Sequence, residues 1–106
     1  MLPKVTDEDF EQSALKDAMP VAVLFKSAAC PYCVKMAAVI EEVAAEYADK
    51  LKVLALDISE GVNTAIRYGV MGVPQILFFK AGRKVGEIRG WVSRADVTKK
   101  IEAVIQ

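Results

Sequence analysis

Two apolar runs decide more about this fold than any other feature of the sequence. VAVLFKS, residues 21–27, and LKVLALDIS, residues 51–59, are nearly unbroken stretches of valine, leucine and alanine. A strand with one wet face alternates apolar and polar residues, whereas a continuous run suits a strand buried on both faces. Between the two runs lies a long segment in which Cys33, Ala37, Ile40, Ala44 and Tyr47 recur at helical spacing, with Glu41, Glu42 and Glu46 among the polar positions. Pro31 suits the first turn of that helix, where its missing N–H costs nothing. The pattern is strand, helix, strand, with the helix running from Pro31 to about Asp49.

The flanks extend the alternation. Thr6 followed by Asp7, Glu8 and Asp9 reads as a capped helix start, with Phe10, Ala14 and Leu15 as its apolar face and Pro20 as its stop. A short helix over 61–68 ends at Gly69, a left-handed cap. QILFFK and KVGEIRG flank Ala81-Gly82, a hairpin turn, and a last amphipathic helix from Asp96 to Ile105 begins near Ser93. Strands alternating with helices and then a hairpin predict an α/β domain with a mixed sheet of four or five strands and helices on both faces. Right-handed crossovers set the long helix against one face. At 106 residues the chain makes one domain, residues 1–106.

Composition removes several function classes. The 14 basic and 14 acidic residues cancel, so neither nucleic acid nor a membrane surface is indicated as partner. No apolar run reaches the roughly 18 residues that span a bilayer. The start, MLPKVTDEDFEQ, turns acidic where a secretory signal turns apolar, so the expected location is the cytoplasm. Histidine is absent and there are 2 cysteines, which leaves a zinc site short of ligands unless two chains pool theirs.

Those cysteines are Cys30 and Cys33, in AACPYCVK. Cys30 falls at the strand-to-helix junction, the N-cap position, where free N–H groups and the helix dipole favour a thiolate. Its pKa is expected to be depressed, making it the attacking sulfur. Cys33 lies one turn on and faces inward, within reach of Cys30 but shielded from substrates. Such a pair carries out two-step exchange: Cys30 attacks a disulfide, and Cys33 displaces the product and closes an internal bond. Lys26 and Lys35 flank the motif as solvated lysines or as cations favouring the thiolate.

With these residues in view, the chain resembles the thioredoxin family over nearly its whole length. The resemblance rests on VAVLF, on the C-x-x-C opening a long helix, and above all on YGVMGVPQILFFKAGRKV. It implies a thioredoxin fold and thiol–disulfide exchange on protein disulfides by a cytoplasmic monomer, with no bound cofactor or metal beyond the Cys30–Cys33 couple. It also implies a cis Val73–Pro74 bond facing the dithiol, with Val73 pairing its backbone to an extended substrate and Gly90 lining the groove. Trp91 either packs on bound peptide or covers the core.

The sequence departs from the family in four places. Ala29 replaces a tryptophan, and Pro31-Tyr32 is the pair that glutaredoxins carry. Leu24 and Ala55 stand where the family has a buried aspartate and a nearby lysine, which predicts an apolar pocket behind Cys33. Ala38 replaces a helix-kinking proline, so the helix is expected to be straighter. Two further readings follow: a glutathione-dependent, glutaredoxin-like oxidoreductase, and a non-catalytic binding module or dimeric iron–sulfur carrier. In the glutaredoxin reading GWVSRAD, residues 90–96, offers Trp91 and Arg94 where glutaredoxins have Gly-Gly and acids. An unidentified reductase, or glutathione, would recharge the couple.

Overall fold

The first apolar run becomes β1 (Val21–Lys26), an inner strand of a four-stranded sheet. A computed structural model describes all residues, 1–106. β1 is followed by α1 (Pro31–Glu46), β2 (Lys52–Asp57), α2 (Val62–Arg67), β3 (Gln75–Lys80), β4 (Arg83–Arg89) and α3 (Arg94–Ile105). The sheet order is β2-β1-β3-β4, with β1 parallel to β2 and antiparallel to β3, and β3 antiparallel to β4. The sheet has four strands, and the N-terminal segment adds only a single parallel bridge, Lys4 to Ala55.

Both faces of the sheet are buried, as continuous apolar strands require. Ala22, Leu24, Val53, Ala55, Ile76 and Phe78 face α1 and α3, meeting Met36, Ile40, Val43, Val97, Ile101 and Val104. Their neighbours Val21, Val23, Phe25, Leu54, Leu56, Leu77 and Phe79 face the other way, onto Phe10, Ala14 and Ala65. The inner stripe of α1 is Cys33, Met36, Ile40, Val43 and Tyr47. Ala37 and Ala44, expected on that stripe, lie at its margin because the helix is rotated toward Met36 and Val43.

The hairpin turns on Ala81 (φ 54°) and Gly82 (φ 79°), both left-handed, as a two-residue turn of matching twist requires. The N-terminal helix departs from expectation. It shortens to one π-type turn, Glu11–Leu15, closed by Lys16 N–H donating to the Glu11 carbonyl at 3.1 Å. Distant residues take what a longer helix would use. Lys52 Nζ donates to the Ser13 carbonyl at 2.8 Å. Asp7 serves another helix altogether, accepting from Thr64 N–H (2.9 Å), Thr64 Oγ1 (2.6 Å) and Asn63 N–H (3.0 Å) at the start of α2.

The Thr64 hydroxyl, ahead of the other contacts, holds the Asp7 carboxyl below its ordinary value of 3.8. A lowered folded pKa means the contribution is complete above that ordinary value and is lost as pH falls through the folded one. Asp7→Ala is therefore expected to lower the urea midpoint at pH 7. The difference from the parent should shrink steadily below pH ~4. Equal midpoints at neutral pH would show that this cap carries no stability.

Candidate active site

Cys30 is the N-cap of α1, in extended backbone (φ −106°, ψ 108°), with Pro31 following at N1. Its Sγ accepts a hydrogen bond from Cys33 N–H at 3.1 Å. One of the helix's free N–H groups is thus aimed at the sulfur, a contact that a thiolate uses better than a thiol. Cys30 is half-buried and Cys33 buried, and both are free thiols. Accessibility therefore distinguishes the two sulfurs, Cys30 being the one open to solvent.

Burial pushes the Cys33 thiol up to about 11, with its contact to Cys30 adding to the rise and the Ser27 backbone and Lys26 opposing it. Burial, the leading cause, persists when Cys30 is tied up with a substrate. The closing step is therefore expected to speed up about tenfold per pH unit, since only the thiolate attacks. The rise should continue beyond 9.0, the ordinary thiol value. Stopped-flow rates for closure of a preformed Cys30 mixed disulfide check this. A plateau near neutral pH would mean that a local base takes the Cys33 proton.

The loop between α2 and β3 brings the third component. The Val73–Pro74 peptide bond is cis, Pro74 is buried, and the Val73 carbonyl lies 3.8 Å from Cys30 Sγ. Neither the N–H nor the carbonyl of Val73 takes part in a backbone hydrogen bond. Val73, whose one hydrogen bond is from the Cys30 thiol to its carbonyl, thus runs beside the outer sulfur. Gly90 (φ 76°) closes the arrangement, its N–H donating to the Pro74 carbonyl at 2.8 Å. Only glycine adopts that left-handed backbone freely.

Other candidates fall less centrally. Tyr32 and Trp91 are both exposed. Ala29 is exposed next to Cys30. Lys35 Nζ lies 5.5 Å from the centre of the Tyr32 ring, which turns it toward the motif. Lys26 stands near enough to Cys33 to ease its ionisation. Leu24 and Ala55 are buried register partners, and with Cys33 they line a cavity of about 490 Å³ on the inner side of the dithiol.

The sequence reading missed Met71, Gln75 and Arg89, which line a cleft of about 310 Å³ with Val73, Pro74 and Gly90. Met71 is almost fully exposed in a loop, where a core methionine would not be. Its Gly-Pro-rich surroundings were the available signal. No three His, Cys, Asp or Glu residues gather into a metal-holding group. No helix is long and apolar enough to cross a membrane.

An outer sulfur on a helix N-terminus and a buried partner one turn away define a dithiol–disulfide exchange centre, and the protein is a thiol–disulfide oxidoreductase. A family model described as Thioredoxin matches residues 1–103. The chain is 40% identical over 94 residues to a thioredoxin of Acidithiobacillus ferridurans, covering 89% of this chain and 87% of that one. It is 39% identical over 101 residues to a thioredoxin of Pseudomonas aeruginosa, covering 95% and 94%. To an M-type chloroplastic thioredoxin of Chlamydomonas reinhardtii it is 38% identical over 98 residues, 92% of this chain and 70% of the relative. The chain belongs to the thioredoxin family.

Proposed function

We propose that this protein reduces disulfides in other proteins and that Cys30 and Cys33 are its whole redox apparatus, with no bound cofactor. The observation that carries the proposal is the backbone of Val73, which makes no backbone hydrogen bond and whose carbonyl accepts from Cys30 Sγ at 3.8 Å. An extended polypeptide can pair there as an added strand and bring its disulfide to the sulfur. The Cys30 thiolate attacks one substrate sulfur, forming the mixed disulfide and releasing the other as a thiolate. Cys33 loses its proton and attacks Cys30 Sγ, and the second substrate sulfur leaves with the electron pair. Two electrons reach the substrate and the couple ends as a disulfide. A separate reductase then restores the dithiol. With no carboxylate at Leu24, the Cys33 proton goes to water or to the departing thiolate.

Arg94 argues against the glutathione reading. Its guanidinium is engaged by Glu42 at 2.9 Å and Glu46 at 2.5 Å on α1, so it is not a free anchor for a glutathione carboxylate. An iron–sulfur cluster would need thiolates from a second chain, whereas one chain supplies every group used above. Dithiol reductases work where thiols are kept reduced, which is why the cytoplasm is the proposed location.

Equilibration in glutathione redox buffers, with thiols trapped by alkylation and read by intact mass, tests the reading. The expected result is an internal disulfide without a glutathione adduct. Its potential should lie at or somewhat above the roughly −270 mV typical of thioredoxins, because Pro31-Tyr32 shifts the poise. An accumulating adduct at roughly −200 to −230 mV would transfer the assignment to a glutaredoxin-like enzyme.

A further inference from the structure

The substrate face of the dithiol is the side of Val73, Pro74 and Gly90. The larger cavity lies on the other side, between α1, the β1–β2 pair and the N-terminal segment, and it is open to solvent. It exists because small residues meet there. Ala37 and Ala38 on α1 stand across from Ala55 on β2, and none of the three has the volume to fill the gap. Leu24, Ala55 and Cys33, all nearly inaccessible, form an apolar floor. The volume, about 490 Å³, lies within the range of small-molecule sites.

The mouth has a different chemistry. Lys4 and Lys26 both line it, and neither ammonium forms an ion pair or a side-chain hydrogen bond. Asp57, the carboxylate on which both lysines act, is already held by Ser59 N–H at 2.9 Å and Ser59 Oγ at 2.8 Å. The one carboxylate at the mouth, Glu41, is met by the Met1 amino group at 3.2 Å. An apolar chamber is thus fronted by two uncommitted cations. We infer that this cavity is a binding site for a small apolar monocarboxylate, such as a medium-chain fatty acid, with its chain against Leu24, Ala55 and Cys33 and its carboxylate between Lys4 and Lys26.

The inference is independent of whether protein disulfides or glutathione are the redox partners, because it concerns the opposite side of the sulfurs. The probes are octanoate and its uncharged counterpart 1-octanol, titrated into the reduced protein and followed by calorimetry and amide chemical shifts. Octanoate is expected to saturate at one site, with the largest shifts at Cys33, Ala37 and Ala55. Ala38→Leu, at an exposed helical position that accepts leucine, narrows the cavity and should weaken octanoate at least about tenfold. The Lys4→Gln, Lys26→Gln double variant should weaken octanoate about fivefold and leave 1-octanol unchanged. Non-saturating titration, or shifts scattered away from the cavity, would overturn the site without recourse to any variant. Equal affinity for octanol and octanoate in the unaltered protein would overturn the assigned carboxylate.

Discussion

Replacing Cys33 with serine is expected to stop the reaction halfway: Cys33→Ser should form a mixed disulfide with a protein substrate and hold it. The outer sulfur keeps its position at the N-cap, its hydrogen bond from the residue 33 backbone N–H, and its place beside Val73. Attack on a substrate disulfide is therefore retained, whereas no thiolate remains inside to displace the product. Cys30→Ser removes the attacking atom, and the buried Cys33 cannot replace it from a position only 3% exposed. Both variants should lose at least about 10³-fold in multiple-turnover insulin reduction. Intact mass after incubation with a disulfide substrate separates them: a covalent adduct for Cys33→Ser, none for Cys30→Ser. An adduct on Cys30→Ser would reverse the roles, and retained turnover by Cys33→Ser would make this a single-thiol enzyme.

How these parts come together was legible in the sequence to the degree that each was locally encoded. The buried strands follow from unbroken apolar runs, and the position of Cys30 follows from an apolar run that ends at Ser27, three residues before it. Ala81-Gly82 marks its hairpin because its turn needs two left-handed residues. The errors have one common cause, contacts between distant residues. Asp7 looks like a first-turn acid of its own helix until its partners, 56 and 57 residues away, are known. Lys52 draws on the Ser13 carbonyl across 39 residues, which periodicity cannot register. The face that α1 turns inward is set by the sheet beneath it, so Met36 and Val43 displaced Ala37 and Ala44 from the stripe. Gln75 and Arg89 join the cleft because β3 and β4 pair them directly, a register that the hairpin turn alone did not assign to a site.

The replacement of the family's buried acid makes the second large prediction. Leu24→Asp is expected to destabilise the protein by about 3 kcal/mol at pH 7, because an ionised carboxylate there has no partner. Leu24 is 1% exposed, its register partner is Ala55, and the surrounding cluster is apolar. Burial would raise the new carboxyl's folded pKa above its unfolded value of about 3.9. The folded state then holds the proton more tightly, so the charge-dependent penalty is absent below that pH. It grows as pH rises through the folded value. Urea unfolding of parent and variant at pH 3.5 and pH 7.5 reads the difference. Adding Ala55→Lys should recover about 1–2 kcal/mol at neutral pH, a coupling that a double-mutant cycle isolates. The same carboxylate would sit beside Cys33 on the cavity side, so the closing step of Leu24→Asp should acquire an inflection near neutral pH that the parent lacks. A variant as stable as the parent at pH 7.5 would show that water reaches Leu24 through the open cavity and solvates the charge, and the apolar character assigned to that chamber would fall with it.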